Sequence, residues 1–231
     1  MKQTARIISV YTADVMGVCS ALFELGGMSV MHDASGCNST YNTHDEPRWY
    51  DTDSLVFISG LSEMEAIMGD DNKLIDDIVK AAGEFKPKFI SVAGTPVPMM
   101  IGTDFGAVAR VIERRTGIPT FGFQTNGMHS YISGAGMAFR ALAERFTEGP
   151  AATRPNSINI LGVTPLDLSV NGSAQSLRRF APDNGFELVG CWAMGGGLDE
   201  IRAAGRAEVN LVVSACGLGA AEVLRRRFGT P

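Results

Sequence analysis

The chain has 231 residues, of which 45% are apolar and 19% charged, with a formal net charge of −5. This length is sufficient for one large or two small domains whose core needs no disulfide or metal. The negative charge argues against a nucleic-acid surface, and no apolar stretch reaches the 18 residues of a membrane span. No secretory signal is recognisable, so we expect a cytoplasmic protein whose four cysteines do not form disulfides.

The first part of the chain predicts a helix and then strands that alternate with helices. The first helix is predicted over 12–27, because apolar residues recur there until two glycines. Short runs rich in β-branched and aromatic residues predict buried strands over 27–36, 54–60, 88–96 and 118–127. Apolar residues at i, i+3 and i+4 predict helices over 72–85 and 104–117. Such alternation indicates a parallel sheet flanked by helices.

A second set of elements follows a segment rich in Pro and Ala at 148–157, which we interpret as a linker. Strands are predicted over 157–163, 186–192 and 209–216, and helices over 172–185, 197–207 and 219–228. The sequence therefore predicts an α/β protein of two Rossmann-like units, 1–150 and 151–231. The last residues, Gly229-Thr230-Pro231, are similar to 116–119, where a helix leads into a strand. We therefore expect the second unit to be incomplete and the protein truncated.

Cysteine and histidine stand together in the sequence HDASGC, residues 32–37, directly after the first predicted strand. Ligands of parallel α/β sheets lie beyond the carboxyl ends of the strands. Cys19 lies on the preceding helix, which packs back on the sheet, so its thiol can approach Cys37. Thiolates bind Fe–S clusters, but the spacing also fits ordinary core cysteines. A zinc site is the third alternative, and its residues would be Cys19, Cys37, His32 and His44.

Other motifs exclude several functions. The chain has no phosphate-binding G-x-x-x-x-G-K-[ST] sequence, so it is not itself a P-loop ATPase. The segment CGLGAAEV at 216–223 is similar to a dinucleotide-binding loop. However, Glu222 stands where the pattern of such a loop has its third small residue. No G-x-S-x-G hydrolase motif is present. Cys191 and Cys216 follow apolar strand residues, and we expect both in the core.

Several stretches together resemble component 1 of nitrogenase and its relatives, which include MoFe-protein subunits, cofactor scaffold subunits and tetrapyrrole reductases. HDASGC resembles the family's H-G-P-x-G-C, which carries a cluster cysteine. Further similarity lies in SEMEAIMGDDNKL at 62–74 and KPKFISVAGTPVPMMIGTD at 86–104. NSINILG at 156–162 and the residues from 206 to 231 resemble the start and end of the family's second domain.

The chain departs from the family pattern in three places. The third cluster cysteine is expected after Thr95, where Pro96 stands. Ser214 occupies the position of a cofactor-ligand cysteine of the MoFe α-subunit, and Cys216 is two residues away. Two residues along a strand amount to roughly 7 Å, so we do not transfer the ligand role to Cys216. We also expect this family member to lack the family's third domain, which would follow Pro231.

The resemblance implies an oxidoreductase subunit with Cys19 and Cys37 as ligands of a 4Fe–4S cluster. Two thiolates per chain would make four in a symmetric dimer, or in a pair with a paralogous component-1 subunit. An ATP-dependent Fe–S reductase protein would be the electron donor. The alternatives are a non-catalytic scaffold or carrier for a metal cofactor, and a cluster-free family member that only dimerises.

The sequence suggests alternative roles for three further residues. Arg48 is expected either near the cluster, outside its ligands, or in a surface ion pair. Gln124 and His129 follow a predicted strand, so we expect them to face a cleft between the two units or to serve as ordinary loop residues. The sequence identifies neither the substrate nor a catalytic residue.

Overall fold

A parallel sheet of four strands organises the first part of the computed structural model, which describes residues 13–34, 36, 38, 41, 46–149 and 152–231. The strands lie in the order β2-β1-β3-β4, and all pairs are parallel. Their bounds are β1 (Met28–His32), β2 (Leu55–Ile58), β3 (Ile90–Gly94) and β4 (Thr120–Phe123). The helices are α1 (Asp14–Leu22), α2 (Glu63–Met68), α3 (Asn72–Phe85), α4 (Pro96–Ile101), α5 (Phe105–Thr116) and α6 (Tyr131–Phe146).

The second part contains a smaller parallel sheet in the order β6-β5-β7. Its strands are β5 (Ser157–Leu161), β6 (Glu187–Cys191) and β7 (Val209–Val212). Its helices are α7 (Ser173–Asp183), α8 (Leu198–Ala203) and α9 (Leu218–Phe228), with 3₁₀ turns at Ala204–Arg206 and Ala215–Gly217. The prediction of an α/β fold with parallel sheets flanked by helices is confirmed. The elements predicted from the sequence do not include α2, α4 or α6.

Local sequence explains where the helices begin and end. The side chain of Asp104 accepts a hydrogen bond from the backbone N–H of Ala107 and so caps the start of α5. Gly117 ends that helix in the left-handed conformation, at φ 71°, which glycine adopts without steric cost. In α3, the buried residues Leu74, Ile75, Ile78 and Ala82 follow the helical period and form one apolar face.

The described residues form three hydrophobic clusters around the two sheets. One lies between β1, β3, α3 and α5, and another lies between the second sheet and α7. The third contains residues of both parts of the chain, for example Leu22 of α1, Phe139 of α6 and Leu224 of α9. The core therefore continues across the linker predicted at 148–157. Within the described ranges, no helix combines the length and the apolar character needed to cross a membrane.

Helices α1 and α6 pack with their backbones in direct contact. A Cβ atom on Gly17 of α1 would lie 2.1 Å from the carbonyl oxygen of Tyr131. A Cβ on Gly134 of α6 would lie 1.7 Å from the carbonyl oxygen of Asp14. Neither gap has room for a methyl group, so both positions need glycine for close approach and not for a turn.

We expect Gly134→Ala to destabilise the protein by at least roughly 1–3 kcal/mol, because the new methyl group must push two backbones apart. Gly136 lies in the same helix, and a Cβ there would meet its nearest atom at an ordinary 3.7 Å. Gly136→Ala is therefore the matched control, and it should stabilise the helix by about 0.5–1 kcal/mol. Urea unfolding of both variants measures the difference, and equal stability of the two variants would contradict the packing argument.

The division into units 1–150 and 151–231 remains a prediction, and proteolysis tests it. The described residues on both sides of residue 150 are mostly exposed, including Glu148, Gly149, Ala152 and Thr153. We expect a protease of broad specificity to cleave first within 148–157, since exposed loop residues enter its active site most readily. Mass spectrometry of the first fragments identifies the cleavage point. First cleavage within 60–120 would argue against the division.

Candidate functional site

Cys19, the first predicted cluster ligand, lies in the middle of α1 with 0% of its surface exposed. It belongs to the hydrophobic cluster that both parts of the chain share. Burial, together with the negative charge of Glu46, raises the pKa of its thiol to about 12. Cys37, the second predicted ligand, lies outside the described residues, so the structure gives no distance between the two sulfur atoms.

The start of α1 is fixed at the carboxyl edge of the first sheet, where its strands end. Both carboxylate oxygens of buried Asp14 accept hydrogen bonds from the loop after β4: Oδ1 from the Gly127 N–H at 2.8 Å and Oδ2 from the Asn126 N–H at 3.1 Å. Cys19 is five residues farther along the helix, which places it about 7.5 Å below this edge. Cys19 therefore lies beneath the edge, among side chains of the core.

Arg48 is the centre of a buried polar network next to Cys19. Its guanidinium donates from Nε to Glu46 Oε1 at 2.7 Å, from Nη1 to Glu24 Oε1 at 2.8 Å and from Nη2 to the carbonyl of Ser20 at 2.8 Å. A further bond from Nη1 reaches the carbonyl of Ala193, beyond β6, at 2.7 Å. Burial alone would lower the pKa of Arg48, but the hydrogen bonds and charges of the two glutamates raise it.

Both sequence interpretations of Arg48 need refinement from this geometry. Its side chain is 6% exposed and that of Glu46 is 0% exposed, so the pair is buried and not a surface ion pair. Glu46 also accepts hydrogen bonds from the hydroxyls of Ser20, at 2.7 Å, and Tyr41, at 3.1 Å. One cation and two carboxylates thus share a site that water hardly reaches, and the hydrogen bonds offset the cost of burying them.

His32, the third residue of the zinc alternative, ends β1 at the carboxyl edge. Its Nδ1 lies 2.8 Å from the hydroxyl of Ser59, and its ring packs edge-on against Phe105. Burial lowers the pKa of His32 more than the neighbouring Asp33 raises it. His44 lies outside the described residues. No group of three potential His, Cys, Asp or Glu metal ligands occurs in the part of the chain that the structure describes.

The donor set can be compared with the needs of a 4Fe–4S cluster, which takes four thiolates. Among the described residues near the first sheet, Cys19 supplies one thiol of the type such a cluster prefers. Pro96 begins α4 at the place where the family resemblance implies another cysteine, and Thr95 donates its hydroxyl to the carbonyl of His32 at 3.0 Å. The described residues of one chain therefore do not complete a cluster site, and the ligand roles of Cys19 and Cys37 remain predictions.

Gln124 and His129 both have partners within the loops at this edge. Gln124 Oε1 accepts a hydrogen bond from the Phe105 N–H at 3.2 Å, which joins β4 to the start of α5. His129 Nδ1 lies 3.1 Å from Asn126 Oδ1 and 3.4 Å from Asp14 Oδ2, with a side chain that is 63% exposed. Gln124 thus has a structural role, whereas His129 is accessible at the start of α6.

A second polar cluster lies at the carboxyl edge of the second sheet. Asp167, in the loop after β5, accepts a hydrogen bond on Oδ1 from the Tyr131 hydroxyl at 2.6 Å. Its Oδ2 accepts one from the Ser214 hydroxyl, also at 2.6 Å. The sulfur of buried Cys216 lies 3.3 Å from Ser214 Oγ and 3.8 Å from Asp167 Oδ2. Hydrogen bonding to Asp167 is the main reason that the pKa of Tyr131 rises to about 12.

Two members of this cluster were not singled out from the sequence. Asp167 stands at the end of 164–167, a stretch just after a predicted strand, and its position there was the available signal. Tyr131 has no such signal, because it follows no predicted strand and α6 is not among the predicted helices. At Ser214, where the resemblance implies a cofactor-ligand cysteine, the structure shows a hydroxyl already engaged with a carboxylate.

Cys191 ends β6 in the core, and Cys216 is also buried, as the sequence predicts for both residues. Its backbone N–H donates to Glu200 Oε2 at 2.9 Å, and Arg178 pairs with the same glutamate at 2.5 Å. Burial raises the pKa of Cys191 to about 11, although Arg178 opposes the effect. This arrangement holds the start of α8 to the end of β6.

Comparison with protein families matches residues 14–231 to the model "Nitrogenase component 1 type Oxidoreductase". The nitrogenase molybdenum-iron protein beta chain of Bradyrhizobium diazoefficiens is 26% identical over 144 residues, covering 57% of this chain and 28% of the relative. The nitrogenase iron-molybdenum cofactor biosynthesis protein NifE of Clostridium pasteurianum is 27% identical over 177 residues, covering 76% and 38%. The NifE protein of Methanococcus maripaludis is 33% identical over 110 residues, which cover 46% of this chain and 23% of the relative.

A solved structure described as "Nitrogenase Cp1 at pH 5" superposes with a TM-score of 0.78 at 22% identity. The superposition covers 99% of this chain and 48% of that one. At this level of identity the likeness concerns the fold. The chain thus spans less than half the length of each of these similar proteins.

We expect the thiols of Cys191 and Cys216 to resist alkylation in the folded, metal-free protein. Both are buried, and burial raises the pKa of each to about 11. At pH 8 only roughly one thiol in a thousand would then be a thiolate, the reactive form. Iodoacetamide labelling followed by peptide mass spectrometry measures this, with the urea-unfolded protein as the fully labelled control. Rapid labelling of either residue in the native protein would contradict the placement.

Proposed function

The chain belongs to the nitrogenase component 1 type oxidoreductase family, and from that premise we propose that it is an electron-accepting subunit that holds a 4Fe–4S cluster through Cys19 and Cys37. The observation that carries this proposal is the family match over residues 14–231, which includes both cysteines. The substrate would bind in a cleft between the two parts of the chain, and it is not identified. Because the chain covers less than half of each similar protein, the activity of a whole protein is part of the proposal.

Two chains would have to contribute to one cluster. Each has Cys19 and Cys37, so a symmetric dimer reaches the four thiolates that the cluster needs. Pairing with a paralogous component-1 subunit is the other way to complete the set. Since Cys19 is fully buried, its sulfur must become accessible when the cluster and the second chain bind. A bound cluster would supply a low-potential one-electron centre, and an ATP-dependent Fe–S reductase protein would be the donor.

The residues around Cys19 would support the cluster without touching the substrate. The hydrogen bonds of Arg48 to Glu46 and Glu24 fix the segment after residue 45 against α1. The apolar residues around Cys19 exclude water, which protects a cluster from hydrolysis. We also assign the protein to the cytoplasm, where the reducing environment keeps cysteine thiols available.

Replacing one ligand at a time tests the shared cluster. Cys37→Ser removes two of the four thiolates from a dimer, so we expect the iron content of anaerobically purified protein to fall from about four atoms per dimer to near zero. The dimer should also weaken, because cluster binding and assembly are linked. Iron and sulfide analysis, the visible spectrum and size-exclusion chromatography provide the measurements.

Cys216→Ser is the matched control, since Cys216 is buried like Cys19 and lies at the other sheet. Its iron content should equal that of the unmodified protein. A monomer that binds about four irons would rule out sharing between two chains. Iron retained by the Cys19→Ser, Cys37→Ser double variant would show that other residues are the ligands. An iron-free unmodified protein that dimerises would favour the cluster-free alternative.

A scaffold or carrier for a metal cofactor is the second candidate function. The match to the Clostridium pasteurianum cofactor biosynthesis protein covers 76% of this chain, against 57% for the Bradyrhizobium beta chain. The two functions differ in whether the protein passes on electrons or metal. Electron transfer predicts that an Fe–S reductase and ATP reduce the bound cluster, seen as a new EPR signal. A scaffold predicts instead that bound metal moves to an apo-acceptor protein, measured by metal analysis after separation.

A further inference from the structure

Several groups of hydrogen bonds connect the described parts of the chain that precede and follow the linker, among them those of Arg227 to the C-terminal end of α6. We call Arg48, Glu24, Ala193 and Gly195 the Arg48 clamp. Its guanidinium donates to the Ala193 carbonyl at 2.7 Å, and Glu24 Oε2 accepts the Gly195 N–H at 2.7 Å. Glu24 also accepts from Arg48, so one glutamate holds the arginine and the loop together.

The Arg48 clamp holds a backbone that has an unfavourable conformation. Ala193 has φ +71°, in the left-handed region that residues with a side chain rarely adopt. Such a conformation persists only where the surrounding contacts determine it. The hydrogen bond that Arg48 donates acts on the carbonyl of this residue directly, and the one that Glu24 accepts from the Gly195 N–H acts two residues later. The loop between β6 and α8 thus depends on residues of the first part of the chain.

The second group, the Asp167 clamp, consists of Asp167, Tyr131 and Ser214. Tyr131 begins α6, before the linker, whereas Asp167 and Ser214 follow β5 and β7. Both hydroxyls donate to the one carboxylate at 2.6 Å, so Asp167 joins the start of α6 to the edge of the second sheet. This clamp is more exposed than the Arg48 clamp, and its contribution is expected to be smaller.

Apolar contact fills the space between the clamps. Phe139 of α6 packs on Trp192 with ring centroids 6.3 Å apart, and the shared hydrophobic cluster includes residues of α1, α6 and α9. Parts of a chain that meet through such an interface do not move independently. The polar clamps also fix the orientation of the two parts, because each hydrogen bond forms only when the parts have one position relative to each other.

We propose that the Arg48 and Asp167 clamps lock residues 13–149 and 152–231 into one unit and hold the loops at the carboxyl edge of the second sheet in position. The two parts then stay together without a continuous chain. In parallel α/β sheets the loops of this edge are where ligands bind, so the first part of the chain sets the shape of that edge. This inference is independent of the cluster and can be tested with iron-free protein.

Cleavage of the linker tests the lock. A recognition sequence for a specific protease, inserted between Pro150 and Ala151 of the full chain, allows one cut after folding. We expect the two fragments to elute together at the mass of the intact chain at micromolar concentration. Separation of the fragments at that concentration would overturn the proposal.

Variants of the cut protein assign the effect to each clamp. Arg48→Met should raise the dissociation constant of the fragments by more than about 10-fold, because it removes the buried charge-assisted hydrogen bond to the Ala193 carbonyl and releases Glu24, which accepts the Gly195 N–H. Asp167→Asn should raise it by about 10-fold, as loss of charge-assisted hydrogen bonds does. The matched controls are Arg115→Met and Asp199→Asn, whose ion pairs with Asp76 and Arg202 lie within one fragment. Both controls should leave the dissociation constant unchanged.

Hydrogen exchange distinguishes a local loss of loop position from a general loss of stability. The amides of 193–197 should lose protection in Arg48→Met and in the milder Glu24→Gln, but not in Asp167→Asn. If Arg48→Met does not fold, Glu24→Gln and Asp167→Asn still decide the question. The proposal would be overturned if neither Glu24→Gln nor Asp167→Asn changed the dissociation constant of the fragments. Unchanged hydrogen exchange of the 193–197 amides in Glu24→Gln would overturn the role assigned to the Arg48 clamp.

Discussion

The contact between α1 and α6 at Gly17 and Gly134 is the constraint on which the rest of the structure depends. Because neither residue has a side chain, the backbones of two helices touch, and α6 packs closely on α1. From there α6 reaches α9, α8 and the 3₁₀ turn after β7. Its first residue, Tyr131, meets Asp167, and its middle, at Phe139, meets Trp192. One close helix pair thereby fixes both the shared core and the edge of the second sheet.

Buried charge is the second organising element. Arg48 and its two glutamates carry an excess of one negative charge in the core, next to a cysteine that is itself fully buried. Burying such a group costs free energy unless nearly every donor and acceptor in it forms a hydrogen bond. Here hydroxyl and carbonyl groups provide the remaining hydrogen-bond partners. The network fixes the relative positions of α1, the segment at 46–48 and the loop after β6.

The carboxyl edges of the two sheets present different chemistry. The first edge has His32, Thr95 and the loop held by Asp14. The second has a carboxylate ringed by hydroxyls, with the Cys216 thiol directed at a carbonyl 3.6 Å away. Thiolate ligation is proposed for Cys37 and for Cys19, which lies beneath the first edge, whereas the second edge has the composition of a hydrogen-bonding site. The family match is consistent with both arrangements, because it concerns the chain as a whole.

The sequence by itself determined the alternation of strands and helices, the parallel sheets and the family. These properties follow from local patterns, in which buried strands are short β-branched runs and helices repeat every 3.6 residues. The strand predictions at 27–36 and 88–96 contain β1 and β3, and the helix at 72–85 coincides with α3. The family resemblance rests on short motifs in the right order, which the family model matches over 14–231.

Only the tertiary structure decided the place of α6, Arg48 and Asp167. Gly134 and Gly136 weaken the helical signal of α6, because glycine is a poor helix former, yet Gly134 permits its closest contact. Arg48 reads in the sequence as a polar loop residue, and its burial depends on partners that are up to 145 residues away. Asp167 meets Tyr131 across 36 residues. Pairings at such separations arise from packing between elements, which local sequence patterns do not encode.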